Sequence, residues 1–356
     1  MLNAVTASSS RPALSGLPTA RAVDHHAFTV PRLDEAVEFF TGVLGGELCY
    51  REGPVEDPSG DWMTRKLGVH PRARAQVALV RLGRHTNLEL FQYSAPDQLT
   101  SPPGPSDVGG SHLALVVSDL DAAEGHLRRA ATVRLGPPSD SPDGSRRWFL
   151  TPWGMLLSLR GPVRPDGRRF VPAPAPYSTA AERSLGLLGV EHVSYTVADL
   201  DAATAFFTEV LGAEPVESAQ SADGPDGHWP PGVERSRRAL LRTGPTANCE
   251  LRQSGTGALR SRPPRNSDIG GHHLAFYVDD VDAAAAYLRE QEGVVLMGEP
   301  ETITQGPIAG DRWLYFSTPI GIQMEIINMP DGSLPYETRT TARRATPGGL
   351  RWHDRP

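Results

Sequence analysis

Apolar and polar residues form several short patterned segments along the chain, each bounded by glycine or acidic residues. In "GGHHLAFYVDD" (270–280), an apolar run rich in Leu, Phe, Tyr and Val follows two glycines and ends at two aspartates. This pattern predicts a strand. Successive side chains of a strand point to opposite faces, so the adjacent residues His272 and His273 should have different environments. We expect His273 to face a cavity and His272 to lie at the strand's entrance.

Similar segments recur along the chain. "VDHHAFTVPRLDEAVEFFTGVLGGE" (23–47) aligns with "VEHVSYTVADLDAATAFFTEVLGAE" (190–214), and "GGSHLALVVSDLDAAEGHL" (109–127) aligns with "GGHHLAFYVDDVDAAAAYL" (270–288). Each copy predicts a strand, an amphipathic helix and three further strands. The sequence therefore predicts an α+β fold built from four βαβββ modules, two in each half of the chain.

The repeats and the composition between them predict five segments. Both ends and the region between the halves are polar or rich in proline, which is typical of disordered ends and linkers. The expected segments are a disordered N-terminus (1–20), a first domain (21–160), a linker (161–188), a second domain (189–337) and a disordered tail (338–356).

Aligning the modules places chemically active residues in two columns. The first strands share a histidine position, occupied by His25, His112, His192 and His273. The last strands share a second position, occupied by Glu89, Ser158, Glu250 and Glu325. Burying uncompensated charge is costly, and a metal ion removes that cost. We therefore expect one divalent metal ion per chain, and Fe²⁺, Mn²⁺, Co²⁺, Ni²⁺ and Zn²⁺ all suit imidazole and carboxylate ligands.

The fourfold order of these motifs resembles the vicinal oxygen chelate superfamily, which includes glyoxalase I, methylmalonyl-CoA epimerase, extradiol dioxygenases and bleomycin-resistance proteins. The resemblance covers about 23–160 and 189–337. It implies that paired modules curl into two glyoxalase-like cupped-sheet domains, with metal ligands on the first and last strands of both modules. The implied complete ligand set is His192, Glu250, His273 and Glu325. The set in the first half is incomplete, because Ser158 replaces a glutamate.

This ligand set assumes that the modules pair in sequence order. The long linker at 161–184 and the short connectors within each half favour that order. If the first module instead pairs with the fourth, the complete set is His25, Glu89, His273 and Glu325.

The resemblance covers several reactions, and two features favour proton transfer. A fourth protein ligand, Glu250, leaves an octahedral metal two positions, enough for a substrate with adjacent oxygens. No histidine lies between His273 and Glu325 to serve as the acid–base residue that dioxygenases of this family carry. We therefore expect a metal-dependent lyase or isomerase acting on a small metabolite. The alternatives are an iron-dependent extradiol-type dioxygenase and a drug-sequestering resistance protein.

Several residues are candidates for the site around the metal. Glu325 and Glu250 are candidate bases, and Tyr277 is a candidate proton donor. The candidate substrate contacts are Thr196, Arg252 and two residues of a proline-rich insert that would form a lid, His228 and Trp229.

Composition limits the expected binding partners and cellular location of the protein. A formal net charge of −7 argues against general nucleic-acid binding. Two cysteines without a metal-binding spacing favour a reducing, cytoplasmic location, and no apolar run approaches the length of a membrane span. The expected partner is a small-molecule substrate, and the chain is compatible with a homodimer.

Overall fold

The computed structural model describes residues 16–130, 133–136, 146–162, 164–174, 180–222, 236–255, 260, 262–328 and 349–354. Within these ranges, strands and short helices follow each other in the order that the repeats predict. The predicted α+β fold is confirmed. No helix in this part of the chain is long and apolar enough to cross a membrane.

The first half contains two modules. The first consists of β1 (Ala20–Thr29), α1 (Leu33–Glu38) continued by a π-helical turn (Phe39–Val43), β2 (Glu47–Glu56), α2 (Trp62–Leu67), β3 (Arg74–Leu82) and β4 (Thr86–Ser94). The second consists of β5 (Ser111–Val117), α3 (Leu120–Arg129), β6 (Arg134–Leu135), β7 (Arg146–Leu150) and β8 (Leu156–Arg160). A further helix, α4 (Ala180–Leu185), precedes the second half.

The second half repeats this order. The third module consists of β9 (Leu187–Thr196), α5 (Leu200–Ala205) with a π-helical turn (Phe206–Val210), β10 (Glu214–Ala222), β11 (Ser236–Arg242) and β12 (Asn248–Ser254). The fourth consists of β13 (His272–Val278), α6 (Val281–Arg289), β14 (Val295–Leu296), β15 (Glu301–Thr302), β16 (Arg312–Ser317) and β17 (Gln323–Asn328). An aspartate side chain caps the N-terminus of α3, α5 and α6, at Asp119, Asp199 and Asp280.

The described strands form two sheets, and each sheet joins one module from each half. Sheet 1 has the order β14-β16-β17-β13-β1-β4-β3-β2, with β15 beside β16, and sheet 2 has the order β10-β11-β12-β9-β5-β8-β7-β6. The first module pairs with the fourth through antiparallel β1 and β13, and the second pairs with the third through β5 and β9. The expected pairing in sequence order is wrong. The halves 21–160 and 189–337 are repeat units of the sequence, whereas each sheet draws on both.

Two proline-containing segments carry the chain between the sheets. Residues 95–110 lead from β4 to β5, and residues 255–271 lead back from β12 to β13. The two segments lie against each other, since Ile269 N donates to Leu99 O at 2.9 Å and Val108 N donates to Arg260 O at 3.2 Å. Each connector is long enough to cross, so the argument from short connectors within each half does not hold.

Parts of the predicted linker and tail are packed against the sheets. In the linker, the backbone of Phe170 exchanges hydrogen bonds with the Asn248 side-chain amide at 2.9 and 2.8 Å. In the tail, Trp352 is buried against Phe276, and its Nε1 donates to Gly212 O at 2.7 Å. The predicted disorder of 338–356 is therefore wrong for 349–354, because burying an indole stabilises this segment. The predicted disorder of 1–20 is likewise wrong for 16–20, because Leu17 is buried in the core and β1 begins at Ala20. The remaining tail residues, and residues 1–15 of the predicted N-terminal segment, lie outside the described residues.

One apolar cluster includes residues of both sheets, such as Leu90 and Leu113. Two histidines of sheet 1 also contact sheet 2 at Tyr195. His26 Nδ1 lies 3.1 Å from the Tyr195 hydroxyl, and the His272 ring stacks on the Tyr195 ring with 4.9 Å between centroids. His272 is thus part of the contact between the sheets, and not merely a residue at the entrance of its strand. We call the face of each sheet that turns away from this shared core cup 1 (sheet 1) and cup 2 (sheet 2).

Candidate metal centre

Cup 1 brings together four buried side chains of the kind that bind metals. They lie on the four central strands of sheet 1, β1, β4, β13 and β17, and are His25, Glu89, His273 and Glu325. Their potential ligand atoms all lie within 4.8 Å of one another. Strand alternation explains their direction: Leu88 and Leu90 belong to the shared core, so Glu89 between them faces the cup.

His25 lies at the centre of this group. Its Nε2 atom is 3.1 Å from His273 Nε2, 3.2 Å from Glu89 Oε2 and 3.2 Å from Glu325 Oε2. His273 Nε2 is 3.6 and 3.5 Å from the same two carboxylate oxygens. Two imidazole nitrogens and two carboxylate oxygens therefore converge on one small volume.

Two further residues orient the imidazoles. Asp24 Oδ1 lies 3.0 Å from His25 Nδ1, and Asn266 Oδ1 lies 3.2 Å from His273 Nδ1. Asp24 reaches the cup because the β1 register shifts between Val23 and His25, as at a β-bulge. A partner at Nδ1 holds Nε2 towards the cup, as metal-binding histidines require. Our sequence reasoning missed both partners, although the acidic residue before the histidine in "VDHH" and "VEHV" is a signal for Asp24.

Hydroxyl groups and one more carboxyl group surround the four residues. The Tyr50 hydroxyl donates to Glu89 Oε1 at 3.1 Å, and the Tyr315 hydroxyl lies 3.2 Å from His273 Nε2. Asp311 is fully buried, and neither of its carboxylate oxygens has a hydrogen-bond partner. Burial and the negative charge of Glu325 raise the pKa of Asp311 well above its ordinary value. Cup 1 thus offers several proton donors beside the converging ligands.

The charges of His25 and Glu89 stabilise each other. Burial lowers the pKa of His25, but the charge of Glu89 and the close contacts with Asp24 and Glu325 outweigh it, so that this pKa is raised well above its ordinary value. Burial raises the pKa of Glu89, and the charge of His25 reverses this effect, so that this pKa is well below its ordinary value. The site around His25 and Glu89 therefore favours a positive charge beside the Glu89 carboxylate.

One carboxylate oxygen of this group lacks a hydrogen-bond partner, which also fits a metal ion. Glu325 Oε2 is buried and accepts no well-aligned hydrogen bond. Buried carboxylate oxygens in this state are rare and call for a partner. Two imidazoles and two carboxylates suit a divalent transition metal, and they do not distinguish one such metal from another.

The structure separates the residues that sequential pairing places in one metal site. His273 and Glu325 lie in cup 1, whereas His192 and Glu250 lie in sheet 2, on β9 and β12. The reason is that β13 pairs with β1 and not with β9. The expected grouping of His192 and Glu250 with His273 and Glu325 is therefore wrong.

Cup 2 holds three of the four corresponding residues. The potential ligand atoms of His112, His192 and Glu250 lie within 4.8 Å of one another. The Nε2 atoms of the two histidines are 3.4 Å apart, and His192 Nε2 is 4.0 Å from Glu250 Oε1. Ser158 occupies the position that Glu325 has in cup 1, and its buried hydroxyl has no hydrogen-bond partner. Glu250 instead accepts a hydrogen bond from Ser194 Oγ at 2.9 Å.

The other predicted site residues fall in different places. Tyr277 lies two positions beyond Ala275 on β13, buried beside Leu79 in a small apolar cluster of sheet 1. Thr196 and Arg252 belong to sheet 2. Thr196 Oγ1 donates to a backbone carbonyl at 2.9 Å, and Arg252 Nη2 donates to Ser236 Oγ at 3.0 Å. The structure therefore does not bring Tyr277 together with Thr196 and Arg252.

The predicted lid residues His228 and Trp229 lie outside the described residues. In cup 1, however, α2 supplies a cover that the sequence did not indicate. Met63 and Leu67 of α2 pack in one apolar cluster with cup residues that include Phe91, Tyr93 and Trp313. This cluster encloses the ligand set with apolar and aromatic side chains.

Comparison with known proteins matches both halves to one family. Models described as "Glyoxalase/Bleomycin resistance protein/Dioxygenase superfamily" match residues 22–159 and 191–312. A 2-epi-5-epi-valiolone epimerase from Actinomyces sp is 51% identical over 176 residues, which are 48% of this chain and 93% of that protein.

Solved structures show the same fold. Glyoxalase I from Zea mays has a TM-score of 0.53 at 15% identity, covering 86% of this chain and 92% of that one. A putative dioxygenase from Bacillus subtilis has a TM-score of 0.59 at 14% identity, covering 92% and 93%. The tandem repeats, the two cupped sheets and these matches agree. The chain belongs to the glyoxalase/bleomycin resistance protein/dioxygenase superfamily.

Proposed function

We propose that the chain is a divalent-metal-dependent isomerase that epimerises a small hydroxyketone at the carbon next to its carbonyl group. The observation that carries this proposal is the convergence of two histidines and two glutamates in cup 1. The relative that is 51% identical supports it, because its name denotes an epimerase whose substrate is a ketone. We take 2-epi-5-epi-valiolone as the first substrate to test.

In this proposal the metal ligands are His25, Glu89, His273 and Glu325. The bound ion would polarise the substrate carbonyl and so make the neighbouring C–H group more acidic. Asp24 and Asn266 would keep the two imidazoles in the orientation that presents Nε2 to the cup.

The two carboxylates of cup 1 suit the proton transfers of an epimerase. Epimerisation removes a proton from one face of a carbon and returns a proton to the other face. Glu325 and Glu89 come from opposite sides of the histidine pair, because β17 and β4 flank β13 and β1. Glu325, whose Oε2 accepts no well-aligned hydrogen bond, would take up the proton on leaving the metal, and the Tyr50 hydroxyl, which donates to Glu89 Oε1, would supply the proton that returns to the other face. Glu250, a candidate base in the sequence analysis, lies in cup 2 and has no part in this step.

The walls of cup 1 would keep water away from the substrate. Phe91, Tyr93 and Trp313 line the cup, and α2 packs against them. A reactive carbanion-like species survives longer where bulk water cannot protonate it. Tyr277, buried on the same sheet, is proposed as part of this wall and as a hydroxyl donor to the substrate.

A four-ligand set favours proton transfer over dioxygen chemistry. If His25, Glu89, His273 and Glu325 all bind an octahedral metal ion, two coordination positions remain. A chelating substrate would fill both, which leaves no position for dioxygen. A convergent ligand set of this kind is also more than a sequestering protein needs. We therefore favour the isomerase over the iron-dependent dioxygenase and the drug-binding protein.

Turnover in deuterated water under argon tests the reaction class. We expect the metal-loaded protein to convert 2-epi-5-epi-valiolone without oxygen and to place one deuterium in the epimerised product, measured by NMR. Co²⁺ or Ni²⁺ should support turnover, because no redox change is needed. Stoichiometric oxygen uptake with activity restricted to iron would replace the isomerase with the dioxygenase. Binding without turnover, with every metal tried, would favour the sequestering role.

The expectations about binding partners, cellular location and oligomeric state remain predictions. The expected partner is a small-molecule substrate, and neither nucleic acid nor a membrane is an expected partner. Cys49 and Cys249 are buried free thiols in different sheets, in keeping with a reducing, cytoplasmic location. A homodimer stays compatible with the chain.

A further inference from the structure

Two buried side chains of cup 1 carry polar groups without a hydrogen-bond partner among the described residues. Asp311 is fully buried, and both of its carboxyl oxygens lack a partner. Trp313 is 6% exposed, and its indole Nε1 lacks a partner as well. Leaving a buried donor or acceptor unpaired is costly, so these groups call for a partner that binds in the cup.

Strand alternation places Trp313 on the cup face of β16. The alternate residues Leu314 and Phe316 belong to the shared core, whereas Trp313 belongs to the apolar cluster that lines cup 1. Tyr315, two residues further along, has its hydroxyl 3.2 Å from His273 Nε2. The indole therefore lies in the same row of side chains as a residue that contacts the metal ligands.

Asp311 belongs to the same row. It comes directly before β16 and continues the pairing with β15, because Ile303 N donates to Asp311 O at 2.8 Å. Arg312, between Asp311 and Trp313, points to the other face of the sheet and pairs with Asp282 of α6 at 2.7 Å. By alternation the Asp311 carboxyl group faces cup 1. The two side chains leave the backbone about 7 Å apart, since a strand rises about 3.3 Å per residue.

An unpaired acceptor near an unpaired donor suits a ligand that carries several hydroxyl groups. A carboxyl group accepts hydrogen bonds in either protonation state, and an indole N–H group only donates. A hydroxyl group both donates and accepts, so a ligand with two or more hydroxyls satisfies both side chains. A cation would leave the indole unpaired, and an apolar ligand would leave both groups unpaired.

The indole donor is a feature of cup 1 and not of the repeated module. Trp313 lies opposite Ile327 on β17, and Arg146 lies opposite Arg160 at the corresponding place in sheet 2, two residues beyond Ser158. An arginine therefore stands in cup 2 where cup 1 has the indole. The cup with the complete set of metal-binding side chains is also the one with the unpaired indole.

We propose that Asp311 and Trp313 bind hydroxyl groups of the substrate of cup 1, and that this substrate is a polyhydroxylated ketone. Its carbonyl group would lie at the four converging residues, and its more distant hydroxyls would lie at β16. The inference rests on the proposed function in taking cup 1 as the substrate site. A site of this kind rejects an analogue without the hydroxyls, because the buried polar groups are then left unpaired.

Isothermal titration calorimetry of the full chain loaded with Co²⁺ tests this selection with two probes, pentahydroxycyclohexanone and 2-hydroxycyclohexanone. Both present adjacent carbonyl and hydroxyl oxygens on a six-membered ring, and only the first carries further hydroxyls. We expect the wild type to bind the first roughly 100-fold more tightly. Asp311→Ala should weaken that binding about 10–100-fold and Trp313→Phe about 3–10-fold, while the affinity for 2-hydroxycyclohexanone stays the same.

Two further variants locate the effect. Asp282→Ala removes the carboxylate that pairs with Arg312 on the other face, and it should leave both affinities unchanged. Glu89→Gln alters the metal site and should weaken both probes alike. Deuterium exchange next to the carbonyl, measured on the same samples, tests the isomerase separately. Selection that depends on Asp311 and Trp313 without any exchange would support this proposal and contradict the isomerase, and exchange without selection would do the reverse.

Urea unfolding separates substrate binding from a structural role. Because the Asp311 carboxyl group has no partner among the described residues, Asp311→Asn and Asp311→Ala should not lower the unfolding midpoint. If Asp311→Ala does not fold, Asp311→Asn and Trp313→Phe carry the binding test. Equal affinity of the wild type for the two probes, or selection that the Asp311 and Trp313 variants retain, would overturn the proposal and assign the unpaired groups to ordered water.

Discussion

His25 and His273 are 248 residues apart in the chain, and their Nε2 atoms lie 3.1 Å apart in cup 1. The contact depends on the antiparallel pairing of β1 with β13, which joins the first module to the fourth. It decides which glutamates can share a metal ion with His273. A pair of matched variants can test that assignment directly.

Glu89→Gln should remove most of the bound metal, whereas Glu250→Gln should leave it bound. Both residues occupy the same position in the last strand of their modules, so the two variants differ only in the cup that they alter. Elemental analysis of protein purified without chelator should give about one equivalent of metal for the wild type and for Glu250→Gln. The reverse result would restore the ligand set of sequential pairing, and two equivalents in the wild type would show that cup 2 also binds metal.

Asp24→Asn should weaken metal binding by about 10–100-fold, the usual effect of losing the carboxylate partner of a ligating histidine. Asp24 positions His25 through a 3.0 Å contact with Nδ1 and does not itself belong to the four converging residues. Competition with a chromogenic chelator measures the affinity. The matched control is Asp34→Asn, an exposed carboxylate on α1, and a similar loss in both variants would contradict the positioning role.

Acid should destabilise the protein through His26 and His272. Burial lowers the pKa of His26 to about 3 and that of His272 to about 4. The unfolded chain binds protons at these histidines below about pH 6.5, and the folded chain does so only at the lower values. The free energy of unfolding should therefore fall as the pH decreases, by about 1.4 kcal/mol per pH unit for each histidine. This decrease should begin near pH 6.5 and end near pH 4 for His272 and near pH 3 for His26.

Urea unfolding at several pH values between 6 and 4.5 measures this slope. His26→Leu should reduce this slope by about 1.4 kcal/mol per pH unit, the contribution of one proton taken up on unfolding. The double variant with His272→Leu should reduce it by about twice as much. Identical slopes in the wild type and the double variant would show that other groups control acid stability.

Trp352→Ala should lower the free energy of unfolding by about 3 kcal/mol, the order expected for truncating a buried aromatic side chain. The indole packs against Phe276 and donates to Gly212 O. Trp352→Phe should lose about 1 kcal/mol, because it keeps most of the packing and loses the hydrogen bond. Chemical denaturation compares the three proteins. No change in Trp352→Ala would mean that the end of the chain contributes nothing to stability in solution.

Local sequence patterns predicted the modules and the residue columns well, because alternation along a strand is a local property. Glu89 between Leu88 and Leu90 shows this, since each leucine enters the shared core and the glutamate enters the cup. The distinction between His272 and His273 follows from the same rule.

The sequence did not determine which modules pair. The first strands carry similar patterns, so β13 is as suitable a neighbour for β9 as for β1 by local criteria. The choice depends on the two connectors that cross between the sheets, and their contact joins residues such as Leu99 and Ile269. Such contacts between distant segments leave no periodic signal, and for the same reason the role of Asn266 beside His273 was missed.

Pairing across the halves also bears on how the two cups could come to differ. If each half were a separate protein, two identical copies would have to associate to complete a cup, and any substitution would appear in both cups of that symmetric dimer. Covalent joining of the halves removes this symmetry. Ser158 can then occupy one cup while Glu325 persists in the other. A tandem gene of this kind allows one ancestral site to keep its chemistry while its twin acquires a new specificity within the same molecule.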